Sequence, residues 1–347
     1  MPSLTDRSWV LFDQIVAEAP KRDESPWDAD ERFAPDFDTL ALLLGVPLAL
    51  KAKPRTRVPA LALDVWVAYE LRRAGFHPDR VWPRATAPRV LPADVGRFVN
   101  SLPKKLQEEM RARLVNGRSG GTTSASANLL GKNYIKQVDV VMSTWSTGPE
   151  LMISTKRMDS SFGKNAANRI EESYGDAKNL SLRHPQAALG FFYLLGSSAF
   201  HEEPETAARL IDLLQKLGRE DDAYGAVGLV VPEWDVIAPT SDGSEEDPAP
   251  MTLDDDILGI DEEEASAEEA SSVEDAAPVD DVAPVHVDDL PRVLLRHDLV
   301  PDELSPARFF EVMAATVLVN TPISLHPEAR ARAPKDLDRR VRENFLY

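Results

Sequence analysis

The chain has 347 residues, 43% of them apolar, with no cysteine and a formal net charge of -19. Lack of cysteine excludes disulfide scaffolds, cysteine-ligated zinc and thiol nucleophiles, and it fits a reducing cytoplasm. The N-terminal stretch MPSLTDRSWVLFDQ lacks the basic head and apolar run of a signal peptide, and no apolar run is long enough for a membrane span. A cytoplasmic protein with no membrane partner is therefore expected.

In chain order, residues 8–19 and 37–50 read as helices, followed by a basic, proline-bearing linker at 51–59. Residues 61–74, LALDVWVAYELRRA, read as a helix closed by Gly75, with a short extended piece at 80–82. Residues 94–116 repeat Phe98, Leu102, Leu106 and Met110 at helical spacing. RSGGTTSASAN, at 118–128, is a Gly/Ser/Thr loop without the Gly-Lys-Ser/Thr frame of a phosphate loop. Two strands follow, YIKQVDVVM at 134–142 and ELMISTKR at 150–157, with Thr147-Gly148-Pro149 turning between them. Beyond them come a helix at 165–182, a buried strand at 187–195, a helix at 204–217 and a buried strand at 226–231.

The negative charge is not evenly spread. Residues 239–281 carry 17 Asp or Glu and no Lys or Arg, whereas residues 51–183 carry 23 Lys or Arg against 12 Asp or Glu. The acidic stretch is too poor in apolar residues to offset chain entropy, so a disordered linker is expected, with a short helix possible at 253–260. It also reads as a mimic of DNA occupying a basic cleft, or as a lure for a basic partner. The basic middle is the footprint of a polyanion-binding surface, or an ordinary solvated one. Residues 285–347 return to amphipathic helix patterns, especially 306–318.

The chemistry-bearing residues lie in that basic middle. Asp139 is a carboxylate set in a valine-rich strand, which is costly unless something compensates it. On the next strand Met152, Ser154 and Lys156 share one face by period-two alternation. Two adjacent strands thus bring Asp139 beside Lys156. Glu70, on the preceding helix, and Glu171 or Glu172, on the following one, are further carboxylates from separate elements. Oxygen ligands of this kind hold Mg²⁺, which activates water and steadies charge on a phosphate. Each position also has an ordinary reading: Asp139 as a structural hydrogen-bonding group, Lys156 as an edge-strand lysine, the glutamates as solvated helix faces.

The order of helix with Glu, Gly-Phe ending, strand with Asp, turn, strand with Lys, then a helix resembles the PD-(D/E)xK nucleases over roughly residues 58–235. The usual motif has Glu or Asp two residues before the lysine, where this chain has Ser154. Some type II restriction enzymes also carry Ser-x-Lys and relocate the carboxylate to the next helix. Glu171, fifteen residues beyond Lys156, is the matching position, with Glu172 beside it.

The resemblance implies an α/β fold with a small mixed central sheet flanked by helices, plus helical N- and C-terminal additions. The implied parts are 1–57, a nuclease core at 58–237, the acidic segment 238–284 and a helical region 285–347. It implies a Mg²⁺-dependent DNA endonuclease of restriction or phage-defence type, with Mn²⁺ as a substitute. Asp139, Glu171 and Glu172 would hold the metal, Lys156 would act at the attacking water, and Glu70 would assist. Arg157, Lys164, Asn165, Arg169 and Lys178 would meet double-stranded DNA. A homodimer, and a cognate methyltransferase or other defence proteins, are the implied partners. Ser154 supports the alternatives: a nuclease-like fold that binds nucleic acid without cutting it, or a scaffolding subunit.

Overall fold

In the computed structural model, described residues are 3–53, 56–115, 127–158, 162–219, 223–233 and 285–344. The acidic segment and most of the Gly/Ser/Thr loop lie outside them.

Helices α1 (Leu4–Glu18), α2 (Phe37–Ala49) and α3 (Val58–Arg73) lead into the short strand β1 (Val81–Trp82). The helix expected over 94–116 is two, α4 (Ala93–Ser101) and α5 (Lys104–Val115), because Pro103 between them cannot continue the hydrogen-bond ladder. Strands β2 (Ala127–Leu130), β3 (Ile135–Val138), β4 (Val140–Thr144) and β5 (Gly148–Met158) precede α6 (Phe162–Ser181). Then come β6 (Ala188–Leu195), α7 (Ala199–Glu202), α8 (Pro204–Leu217), β7 (Ala226–Val230) and β8 (Pro232–Glu233). The C-terminal part adds β9 (Leu294–Leu295), α9 (Pro306–Asn320), α10 (Pro327–Arg332) and α11 (Leu337–Asn344).

The central sheet has five strands in the order β1-β4-β5-β6-β7. β1, β4 and β5 are antiparallel neighbours, while β6 and β7 run parallel to β5. This is the expected mixed α/β architecture. Strict alternation sends Leu151 and Ile153 into one apolar cluster and Met152 and Met158 into the other. β6 divides the same way, Phe192 and Leu194 opposing Phe191, Tyr193 and Leu195. The first cluster is filled by α1, α2, α3 and α9, the second by α6 and α8, so helices cover both faces. The regions before 58 and after 284 share the first cluster with α3 and the sheet. Among the described residues no helix is long and apolar enough to cross a membrane.

The strand expected over 134–142 is broken at Asp139. β3 pairs with β2 in a separate two-stranded ribbon, whereas β4 pairs with β5. The last β4–β5 pair is Val140 with Ile153, yet β5 continues to Met158 against β6. Among the described residues no strand pairs with the β4-side edge of β5 from Ser154 onward, and this stretch is called the notch below.

Candidate functional site

The notch is where Asp139 sits. Just before β4 joins β5, the Asp139 side chain takes the place of a backbone partner: its Oδ2 accepts from Thr155 N at 2.9 Å. The Asp139 carboxylate thus lies against the β5 backbone one residue before the half-buried Lys156. Thr155 turns the other way, and its hydroxyl donates to Asp64 Oδ1 at 2.5 Å. Asp64 is a buried carboxylate of α3. Thr155 thus bonds two carboxylates from separate elements: Asp139 through its amide at the strand edge, and Asp64 through its hydroxyl on the face of β5 opposite Ser154 and Lys156.

On the opposite face of β5, the buried Ser154 neighbours Tyr224, whose hydroxyl donates to the Ser173 carbonyl at 3.0 Å. Burial, reinforced by the charges of Asp176 and Asp139, pushes the Tyr224 phenol far above its ordinary pKa, so it stays protonated and remains a donor. Asp176, on α6, accepts from Tyr134 at 2.9 Å and pairs with Lys136 at 2.7 Å. Burial, with the Asp176 charge beside it, pushes Tyr134 up to about 12.

The same helix clamps the β2–β3 ribbon. Asn179 Oδ1 accepts from the backbone of Asn133 at 2.8 Å and of Tyr134 at 3.3 Å, and its Nδ2 donates to the Tyr134 carbonyl at 3.0 Å. Gly131 lies so close that an added Cβ would stand 2.1 Å from Asn179 Nδ2.

Several expected positions fall elsewhere. Glu70 is fully buried away from the notch: it accepts from Asp36 N at 2.7 Å and pairs with Arg73 at 2.7 Å. Burial raises its pKa to about 7 against the opposing pull of Arg73. The structure therefore corrects its place: Glu70 ties the start of α2 to α3, and the α3 carboxylate facing β5 is Asp64. Glu171 and Glu172 are exposed, off the α6 face that Ile170, Ser173 and Ala177 press onto the sheet. The inward carboxylate of α6 is Asp176, already engaged by Lys136 and Tyr134. Among the described residues no three His, Asp or Glu side chains gather as a metal-ligand set, so the triad of Asp139, Glu171 and Glu172 is not assembled.

Arg157 and Lys178 are half-buried. The side chains of Lys164, Asn165 and Arg169 lie outside the described part of α6. Glu150, at the far end of β5, forms a buried pair with His326 at 2.7 Å. Burial alone would raise its pKa, but hydrogen bonds from His326 and Thr147 outweigh that and hold it below the ordinary carboxylate range.

Asp64, Asp176, Lys136 and Tyr134 were not singled out from the sequence. Asp64 did carry a signal, since a carboxylate inside LALDVWV is as anomalous as one inside VDVV. Comparison with protein-family models, curated proteins and solved structures yields no match to the chain.

Proposed function

We propose that the chain is a metal-dependent phosphodiesterase acting on double-stranded DNA, built like a restriction-endonuclease core. One observation carries this reading: Asp139 is hydrogen-bonded to the β5 backbone where β4 stops pairing, one residue before Lys156. The element order supports it as well: a helix, three antiparallel strands, a helix and a parallel strand.

Asp139 is a hard oxygen donor suited to Mg²⁺ or Mn²⁺, and one or two carboxylates suffice when phosphate and water complete the shell. The bound metal would supply an activated water and neutralise charge on the scissile phosphate. Within the chain, Lys156 orients the attacking water and balances phosphate charge. Thr155 fixes Asp139 through its amide and Asp64 through its hydroxyl. Cutting both strands requires two such sites, which a symmetric dimer supplies.

The test is cleavage of plasmid DNA with Mg²⁺ or Mn²⁺, comparing the wild-type chain with Asp139→Asn and Lys156→Ala. Metal-dependent cutting that disappears in both variants supports the reading. Ser154, in place of a third carboxylate, favours a second reading, a nuclease-like module that binds DNA without cutting it. Retention of duplex DNA with no cutting under either metal selects that one.

A further inference from the structure

We infer that the end of the sheet opposite the notch is a self-association face, covered in solution by the same face of a second copy of this chain. The notch lies at the C-terminal end of β5. The turn into β5, the start of β6 and the C-terminal end of α9 lie at the other end. There Asn320 Nδ2, on the last turn of α9, donates to the Gln186 carbonyl just before β6 at 3.0 Å. Glu150, near the start of β5, accepts from Thr147 of the β4–β5 turn and bonds His326 beyond α9.

Half of the ten exposed large apolar side chains among the described residues stand at this end: Phe98, Trp145, Leu182, Val319 and Ile323. Trp145 is 75% exposed and Ile323 is 87% exposed. Phe98 joins them through Asp94, which accepts from Trp145 N at 3.1 Å and lies one helical turn before Phe98 on α4. Single exposed apolar residues are ordinary on a protein surface, whereas a cluster marks an interaction site.

Both leading side chains sit on fastened loops. The Arg330 guanidinium donates to the carbonyls of Leu318, Thr321, Pro322 and Leu325, so one cation closes the loop that carries Ile323. The Thr144 hydroxyl bonds the Ser146 and Thr147 hydroxyls across the turn that carries Trp145. A surface fixed before binding loses little conformational entropy on contact.

Area and charge select a second copy as the occupant. At their exposures the five side chains present on the order of 500 Å² of apolar surface. A standard interface takes about 800 Å² from each partner, about 65% of it apolar in homodimers. The patch therefore matches the apolar share of one side. The carboxylates beside it are already paired within the chain, Asp94 with Arg97 at 3.4 Å, Glu150 with His326 at 2.7 Å and Glu328 with Arg332. An identical patch related by a two-fold axis meets this one without burying an unmatched charge, and a polyanion gains little there. Arg183, exposed beside Leu182, stays at the solvated rim. The notch remains uncovered in both copies. This pairing is therefore separate from the one that two-strand cutting needs, and the inference does not rest on the nuclease reading.

The experiment is sedimentation velocity of the full chain from about 1 to about 100 μM. A monomer–dimer equilibrium is expected. Added salt should strengthen it, because the net charge of -19 makes two copies repel until it is screened. Trp145→Ser and Ile323→Ser should each weaken the dimer about tenfold or more. Leu294→Ser, at a 60% exposed apolar position on β9, is the control and should dimerise as the wild type does. Wild-type melting temperatures show that the variants fold, and Ile323→Ser carries the test if Trp145→Ser does not.

A wild-type chain that stays monomeric at every concentration overturns the inference and leaves the face to a different occupant. Undiminished dimers in both variants place the contact elsewhere and overturn it as well. Dimers that loosen as salt rises, or growth beyond the dimer, contradict an apolar two-fold pairing.

Discussion

The Thr155 hydroxyl donates to Asp64 Oδ1 at 2.5 Å, joining the open end of β5 to α3. The amide of the same residue holds Asp139. Replacing Thr155 with Val removes the first bond and keeps the second. A loss of about 1.5–3 kcal/mol is expected, the usual range for a hydrogen bond to a charged acceptor. In a double-mutant cycle with Asp64→Asn, urea unfolding should show a coupling of at least about 0.5 kcal/mol. Strictly additive losses would mean the contact is not formed.

Asp64, rather than Glu70, should carry the α3 contribution to any DNA cleavage, acting through Thr155, whose amide holds Asp139. Asp64→Ala is expected to lower cutting by about tenfold to a hundredfold. Glu70→Gln should leave it within a few-fold when measured below the unfolding temperature. The reverse ranking would return Glu70 to the notch and contradict the geometry.

Glu70 should also make stability depend on pH in a direction opposite to that of most carboxylates. Its folded pKa is about 7, above the ordinary 4.5. The folded state therefore holds a proton that the unfolded state has released between those values. The contribution is fully present below the unfolded pKa and is lost as pH rises toward 7. Between pH 5 and pH 8 the wild type should lose up to about 3 kcal/mol relative to Glu70→Gln. Thermal melts of both proteins across that range measure it, and parallel curves would refute it.

The buried Glu150–His326 pair is expected to titrate in the opposite sense. The Glu150 pKa is depressed, so its contribution is present above the unfolded pKa and lost as pH falls through the folded one. His326→Leu leaves Glu150 buried without its nitrogen partner and should cost about 3–5 kcal/mol in chemical denaturation. A cost under about 1 kcal/mol would place the pair in solvent-screened surroundings.

Gly131→Ala should loosen the ribbon and leave the central sheet intact. The added methyl meets Asn179, which holds the ribbon's turn, so one of them must move. Hydrogen exchange is expected to accelerate over β2 and β3 while β5 and β6 keep their protection. Acceleration throughout the sheet would show that the ribbon and core unfold as one unit.

Much of the architecture was written locally. The alternation along β5, β6 and β7 names both faces of the sheet, because side-chain period and strand pleat coincide. That Asp139 interrupts its strand beside β5 was legible as well: a charged residue in an apolar strand must sit where burial ends. Pro103 marked the break between α4 and α5, although the apolar spacing on either side disguised it. Strand β2 was hidden, since a four-residue stretch after a Gly/Ser/Thr run becomes a strand only through its partner β3.

What the sequence could not decide was rotation. α3 is buried on nearly every side, so it lacks the polar stripe that would reveal which of Asp64 and Glu70 faces the sheet. Six residues of helix separate them, about 9 Å of rise and one and two-thirds turns. Only packing against β5 on one side and α2 on the other set that phase. The same held for α6, where contact with the sheet turned Asp176 inward and left Glu171 and Glu172 in solvent. Local propensity determines that a helix forms; burial of its neighbours determines which carboxylate faces the sheet.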